Sequence, residues 1–245
     1  MKLFHISDLH LGKRVYEFSM LEEQRELLQS VLNKIEEENP DVLLITGDVY
    51  DKPVPPTEAV KLLDWFLTEL SGRRLPTYMI AGNHDSAQRL EFGKEIMGKN
   101  GIHIAGSING KLERFTETDG FGSVTIWLMP FFKPAHVNGA LGENYSSYEE
   151  AAKALLERAE IDFTERNIIL VHQFVTWKGK AERSDSEMIS LGGVEEIDAS
   201  LFFDFDYAAL GHLHSPQRIG KDTVRYPALP CPILFRRFGR KRGSQ

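Results

Sequence analysis

Apolar and polar positions fall into blocks along the first hundred residues, and the blocks alternate in period. Lys2 to Ser7 is a short apolar run closed by a polar loop, which reads as a buried strand. Residues 21–38 (LEEQRELLQSVLNKIEEE) set Leu21, Leu27, Leu28, Val31, Leu32 and Ile35 on one helical face, and Pro40 stops that helix. Asp41 to Thr46 (DVLLIT) predicts a second buried strand, with Gly47 opening the loop behind it. Thr57 is expected to cap a helix through Leu70, with Leu62, Leu63, Phe66, Leu67 and Leu70 inward. Pro76 to Ala81 predicts a third strand, followed by Gly82 and a helix from about 87 to 98. Strand–helix alternation of this kind implies parallel strands joined by crossover helices.

The pattern then changes. Residues 102–129 read as short strands with glycine-containing turns, and 130–147 as an irregular surface loop. A helix is expected at 148–159, a buried strand at Asn167 to Val171, and a polar, glycine-containing loop at 177–195. A last buried strand, Asp206 to Leu210, ends at Gly211, and 216–226 suits a hairpin around Gly220–Asp222. No repeat and no interdomain linker interrupts the chain.

Composition narrows the class without naming a function. The chain has 245 residues, of which 42% are hydrophobic, enough for a sizeable core. No run of about 18 apolar residues predicts a transmembrane helix, and MKLFHISDLH lacks the plan of a signal peptide. The single cysteine, Cys231, excludes an internal disulfide framework and fits a reducing, cytoplasmic setting. A net charge of −7 argues against binding nucleic acid by bulk electrostatics alone; a local basic groove or bound cations would have to supply the attraction.

The chemistry lies in five short motifs: Asp8-Leu9-His10, Gly47-Asp48, Gly82-Asn83-His84-Asp85, Val171-His172 and Gly211-His212-Leu213-His214. Each follows a predicted buried strand at its C-terminal end, the edge where open α/β sheets build ligand sites. Taken singly, each motif has a bland reading as turn or cap chemistry. Two histidines directly after a buried strand have no such reading, and the shared placement of all five argues for one site.

Carboxylate, amide oxygen and imidazole suit two manganese, iron or zinc ions, and no thiolate is present to favour a softer ion. Asp8, His10, Asp48, Asn83, His172, His212 and His214 serve two ions if one carboxylate bridges. Asp48, the lone acid of its motif on a central strand, is the expected bridge. Two ions so held clamp a phosphoryl group and generate a hydroxide for in-line attack. His84 then remains free to stabilise the transition state or protonate the leaving oxygen, with Asp85 orienting its ring.

These residues resemble the calcineurin-like metallophosphoesterase superfamily. Within it, MKLFHISDLHLGK, LLITGDVYDKPVPP and AGNHDS are most similar to the SbcD and Mre11 nucleases, over roughly residues 1–226. The resemblance implies an α/β fold built as a two-sheet β-sandwich flanked by helices, in four layers α/β/β/α. It implies one metal held by Asp8, His10, Asp48 and His214, the other by Asp48, Asn83, His172 and His212, and His84 as the catalytic histidine. It further implies manganese as the metal, and 3′→5′ exonuclease action on duplex DNA with endonuclease cutting of single strands and hairpins. The implied partner is an SbcC/Rad50-type ATPase, and the implied assembly is a homodimer through helices near 50–100. One departure is Asp51, which stands where archaeal relatives carry a second histidine; it is a candidate for positioning His84 or substrate.

Lys13, Arg14 and Tyr16, after the first motif, are candidate DNA contacts, as are Lys133 and His136 in the 130–147 loop. His5 reads as a core histidine rather than a ligand. Two other functions compete with the nuclease: a metallophosphodiesterase for small substrates, and a weakly catalytic module that binds DNA ends. Protein phosphatases are disfavoured, since Gly-Asp here is not followed by Asp-Arg-Gly.

Residues 227–245 (PALPCPILFRRFGRKRGSQ) depart from the resemblance. One choice of codons for Pro227 to Arg237, read with one extra base in front, gives GTPLSYSFSE, the wording expected at this point in the family. The codons are chosen, so this shows compatibility; a one-base frameshift near the Tyr226 codon is the sharper expectation for the tail, beside a basic DNA-binding arm carried by Arg236, Arg237, Arg240, Lys241 and Arg242. On the frameshift reading the family's DNA-capping and ATPase-binding regions are absent.

Overall fold

The computed structural model describes residues 1–181, 195–227 and 233–234. Two sheets face each other. In the first, β1 (Leu3–Ile6), β2 (Val42–Thr46), β3 (Thr77–Ile80) and β4 (Ile102–Ala105) run parallel in that spatial order. The second comprises β5 (Glu113–Asp119), β6 (Gly122–Met129), β7 (Arg166–His172), β8 (Tyr207–Gly211), β9 (Gln217–Ile219) and β10 (Lys221–Tyr226). Its order is β9-β10-β8-β7-β6-β5; the four central strands are parallel, and each edge strand is antiparallel to its neighbour. The short strand β11 (Ile233–Leu234) pairs antiparallel with β1 at the edge of the first sheet. The other tail residues, 228–232 and 235–245, lie outside the described residues, and with them most of the stretch read as frameshifted.

The side-chain period of two divides each strand between two layers. Phe4, Ile6, Leu43 and Ile45 point to the helices α1 (Leu21–Glu38) and α2 (Thr57–Gly72), meeting Leu28, Leu32, Phe66 and Leu70. Leu3, Val42, Leu44 and Ile80 point the other way and meet Ile126, Leu128, Leu170 and Tyr207 of the second sheet. The far face of that sheet, with Ile169, Val171, Ala208 and Leu210, packs on Val137 and Leu155 of two more helices. Three apolar layers between four layers of elements are the expected α/β/β/α arrangement.

Several boundaries differ from the sequence reading. Thr57 is the first residue of α2 rather than its cap; Pro56 holds the cap position with no side-chain bond. The helix expected at 87–98 is two short ones, α3 (Ala87–Leu90) and α4 (Lys94–Gly98), broken where Gly93 takes a left-handed φ of 76°. The 130–147 loop contains α5 (Pro134–Leu141), which Pro134 starts and Val137 anchors in the core. The helix α6 (Tyr148–Arg158) is closed by a capping box, Glu150 N–H to Ser147 Oγ at 3.1 Å with the Glu150 carboxylate returning to Ser147 N–H. Residues 14–19, unassigned from sequence, form a small hairpin with Tyr16 at its tip. Of the 177–195 loop, residues 182–194 lie outside the described residues.

Candidate metal centre

Strand register brings the five motifs together. Ile6 pairs with Ile45, Thr46 with Ile80, and Gly211 with His172, so all five strand ends finish at one edge of the sandwich. The first two loops are zipped by backbone bonds: Asp8 N–H to Gly47 O at 3.0 Å, His10 N–H to Asp48 O at 2.9 Å and Leu11 N–H to Val49 O at 2.9 Å. Asp8, His10 and Asp48 hold left-handed φ values of 55°, 43° and 48°, and His212 one of 105°. Such backbone costs about 1–3 kcal/mol per residue and persists only where the surroundings impose it. It aims the four side chains inward instead of along the loop. Glycine is required at two neighbouring points: a Cβ on Gly47 would enter the His172 ring, and one on Gly82 the Asp48 carboxylate.

The donor atoms meet in two groups that share Asp48. In one, His10 Nε2 lies 3.2 Å from His214 Nε2 and 3.8 Å from Asp48 Oδ2, while His214 Nε2 lies 3.7 Å from Asp8 Oδ1. In the other, Asn83 Oδ1 lies 3.1 Å from His172 Nε2 and 2.9 Å from His212 Nδ1, with His172 Nε2 3.5 Å from Asp48 Oδ2. The seven sequence-predicted residues thus lie together in these two groups, and Asp48 approaches both.

The donor set itself tests the fit of a cation. His172 Nδ1 faces the Thr46 carbonyl at 2.6 Å and must donate its hydrogen there. In the neutral ring Nε2 is then a lone pair, and it faces two oxygens, Asn83 Oδ1 and Asp48 Oδ2. Acceptors that converge on one point call for a positive charge between them, and a carboxylate, amide and imidazole set fits a divalent metal in that place.

The electrostatics call for the same positive charge. Burial opposes charge on the His172 ring, yet Asp48 and then Asp8 raise its pKa to about 9, so by itself the ring carries a proton on Nε2 that a cation would displace. Burial also opposes charge on Asp48, but His172 and His10 hold its carboxyl well below the usual carboxylate range. Burial lowers His10 to about 4 and His212 to about 3, which leaves both rings neutral at pH 7, the form that ligates. Asp8 is pushed up to about 7 by burial, with the charge of Asp48 adding to the effect and His172 opposing it.

His84 sits at the exposed rim, its ring edge-on to His10 with centroids 4.8 Å apart. Its backbone N–H donates to Asp48 Oδ1 at 2.9 Å, and its Nδ1 lies 2.9 Å from the carbonyl of Asp51. A nitrogen of His84 also falls within 4.8 Å of donor atoms of His10 and Asp48.

The expectation that Asp85 orients the His84 ring is corrected by this geometry. The Asp85 carboxylate accepts instead from the backbone N–H groups of Gly82 at 2.8 Å, Tyr50 at 2.8 Å and Val49 at 3.1 Å. It ties the second motif to the third. Burial raises its pKa to about 6 despite those three bonds. Orientation of His84 falls to the Asp51 carbonyl, while the Asp51 carboxylate lies 3.9 Å from His10 Nδ1.

Three supporting residues escaped the sequence reading. Gln24, buried on α1, donates to the carbonyl of His10 at 2.7 Å and accepts from Gly12 N–H at 2.9 Å, so it holds the first loop. Its signal was a polar residue in register with the apolar stripe of Leu28, Val31 and Ile35. Ser7 Oγ bonds Asp8 Oδ2 and lies 3.2 Å from Thr46 O, and Thr46 presents the carbonyl that orients His172.

Of the candidate DNA contacts, Arg14 and Tyr16 lie on the exposed hairpin beside the first motif, with Phe18 exposed next to them. Lys13 is half-buried at its base. His136 is occupied locally, its Nδ1 accepting from Lys133 N–H at 3.3 Å at the start of α5. Among the described residues no helix is long and apolar enough to cross a membrane.

Known proteins share this architecture. The chain is 32% identical to the SbcD component of the nuclease SbcCD from Staphylococcus epidermidis over 99% of its own length, and it spans 64% of that relative. The crystal structure of TT1561 from Thermus thermophilus superposes with a TM-score of 0.53 at 14% identity, covering 96% of this chain and 97% of that one, which shows a shared fold. The sequence model of the calcineurin-like phosphoesterases matches residues 1–216, the span that carries all five motifs, and the chain belongs to that family.

Proposed function

We propose that this chain is a DNA nuclease of the SbcD type, hydrolysing phosphodiester bonds with two divalent ions, manganese in the first place. The convergence of seven side chains from five strand ends in two groups that share Asp48 carries this reading. The 32% identity to a component of the SbcCD nuclease favours DNA over other phosphoesters. Asp8, His10, Asp48 and His214 hold one ion; Asp48, Asn83, His172 and His212 hold the other. When bound, the ions supply a nucleophilic hydroxide and neutralise charge on the phosphoryl oxygens.

The chain's own residues do the rest. Asp48 fixes the two sets relative to each other. The Asp51 carbonyl takes the Nδ1 hydrogen of His84, so that Nε2 is left for a proton delivered to the departing oxygen. Asp85 is proposed to serve catalysis only by holding the Gly82–Asn83–His84 loop against Val49 and Tyr50. Lys13, Arg14 and Tyr16 receive the DNA backbone beside the centre.

The full activity proposed is 3′→5′ exonuclease action on duplex DNA and endonuclease cutting of single strands and hairpins, in a cytoplasmic homodimer that works with an SbcC/Rad50-type ATPase. The test sets manganese-dependent cleavage of a labelled DNA hairpin beside hydrolysis of bis-p-nitrophenyl phosphate. Cleavage of both is expected. Hydrolysis of the small ester alone contradicts the nuclease assignment.

A further inference from the structure

A line of polar side chains crosses the largely apolar layer between the two sheets. His5 on β1, Thr46 on β2 and Tyr207 on β8 all face into it and are fully buried among Leu3, Leu44, Leu170 and Ala209. His5 Nδ1 lies 2.8 Å from Tyr207 Oη, and His5 Nε2 lies 2.9 Å from Thr46 Oγ1. Thr46 Oγ1 in turn lies 3.1 Å from the carbonyl of Leu210. One direction satisfies every group: Tyr207 donates to His5 Nδ1, His5 Nε2–H donates to Thr46, and Thr46 donates to Leu210 O. Burial lowers His5 to about 3, so the ring is neutral, as that direction requires.

Three polar side chains in a sandwich core are costly unless fully paired, and apolar residues of similar size would pack there without that demand. Thr46 shows what the line accomplishes. Its hydroxyl is held across the sandwich by His5 and Leu210, and its carbonyl takes the Nδ1 hydrogen of His172 at 2.6 Å. The same carbonyl accepts from Ser7 Oγ at 3.2 Å. The rotation of the Thr46 peptide therefore decides which way the His172 ring points its Nε2.

We infer that His5 and Thr46 are positioning residues of the metal centre: they lock the Thr46 peptide so that its carbonyl presents His172 Nε2 to the position shared with Asn83 and His212. The inference rests on the two-metal reading above.

Calorimetric titration of the full chain with Mn2+, alongside its thermal unfolding, tests it. His5→Leu removes the line's central member and suits an apolar layer. Thr46→Val keeps shape and removes only the hydroxyl. Each is expected to fold and to lose about 10–100-fold in affinity for one of two Mn2+ ions, the usual effect of losing a ligand's orienting partner. The kcat on bis-p-nitrophenyl phosphate should fall with KM held. His5→Gln and Thr46→Ser, which keep a donor and a hydroxyl, should restore affinity, and the double variant His5→Leu/Thr46→Val should lose no more than either single one. Wild-type affinity for both ions in the two single variants, or lowered thermal stability with affinity unchanged, overturns the inference. Should His5→Leu not fold, Thr46→Val decides alone. A wild-type chain that takes up no Mn2+ overturns the two-metal reading, a result distinct from an intact centre indifferent to His5.

Discussion

His84 and Asp85 are neighbours in sequence and do different work. The imidazole stands at the rim with its Nδ1 on the Asp51 carbonyl, while the adjacent carboxylate is turned away and occupied by three backbone N–H groups. His84→Ala is expected to keep two Mn2+ ions by calorimetry and to lower kcat by about 10²–10⁴-fold, the span of general acid–base contributions. Loss of metal in that variant would move His84 into the ligand set. Asp85→Ala should act through the fold: three buried N–H groups lose their acceptor, at about 1–3 kcal/mol for each one left unsatisfied. Denaturant unfolding should show that loss before any direct effect on chemistry is sought, and unchanged stability would contradict the bracing role. Adjacency in a loop carries no direction, which is why the sequence suggested Asp85 as the partner of His84. The convergence of the seven proposed ligand positions was legible for the opposite reason: each interrupts or ends an apolar run, and strand period places it at a known edge.

At the scale of elements, two devices hold the centre and neither shows in a motif. Gln24 on α1 grips the loop after β1 through the carbonyl of His10 and the N–H of Gly12. Gln24→Ala should cost about 1–3 kcal/mol in urea unfolding, because those backbone groups stay buried without it. A neutral result would mean the backbone bonds to Asp48 and Val49 suffice. The His5 line between the sheets makes a prediction in pH. The unfolded His5 takes up a proton below its ordinary value of 6.5, whereas the folded ring resists until about 3. More protons on the unfolded chain mean that its contribution to stability is full above 6.5 and declines as pH falls toward 3. The urea midpoint of wild type should therefore drop more steeply from about pH 7 to about pH 4 than that of His5→Leu. Parallel curves would show that His5 does not titrate on unfolding. Strand and helix positions in this region followed from period alone. The break at Gly93 and the helix begun by Pro134 did not, since a lone glycine inside a helical pattern is usually tolerated and a proline marks a turn or loop as readily as a helix start. The partners of His5 and Thr46 lie up to 202 residues away in the chain, beyond any local pattern.

For the whole molecule, the sandwich acts as a frame that ends strands of both sheets near one rim and feeds five motif loops into a single centre. Alternating strands and helices indicated an α/β fold, and the second sheet became visible only through family resemblance, because its strands 113–129 read as disconnected short pieces. The hairpin at 14–19 stands beside this centre with Arg14, Tyr16 and Phe18 exposed. If it receives DNA, Tyr16→Ala should raise KM for the hairpin substrate several-fold while leaving bis-p-nitrophenyl phosphate untouched; equal effects on both substrates would remove it from the DNA path. The expectations for metal binding and catalysis depend on Asp48 joining two metal positions. Elemental analysis of the purified chain after equilibration with Mn2+, set beside Asp48→Asn, addresses that directly. Two ions per wild-type chain and one or none in the variant are expected; one ion or none in wild type, or two in both, would contradict a shared Asp48.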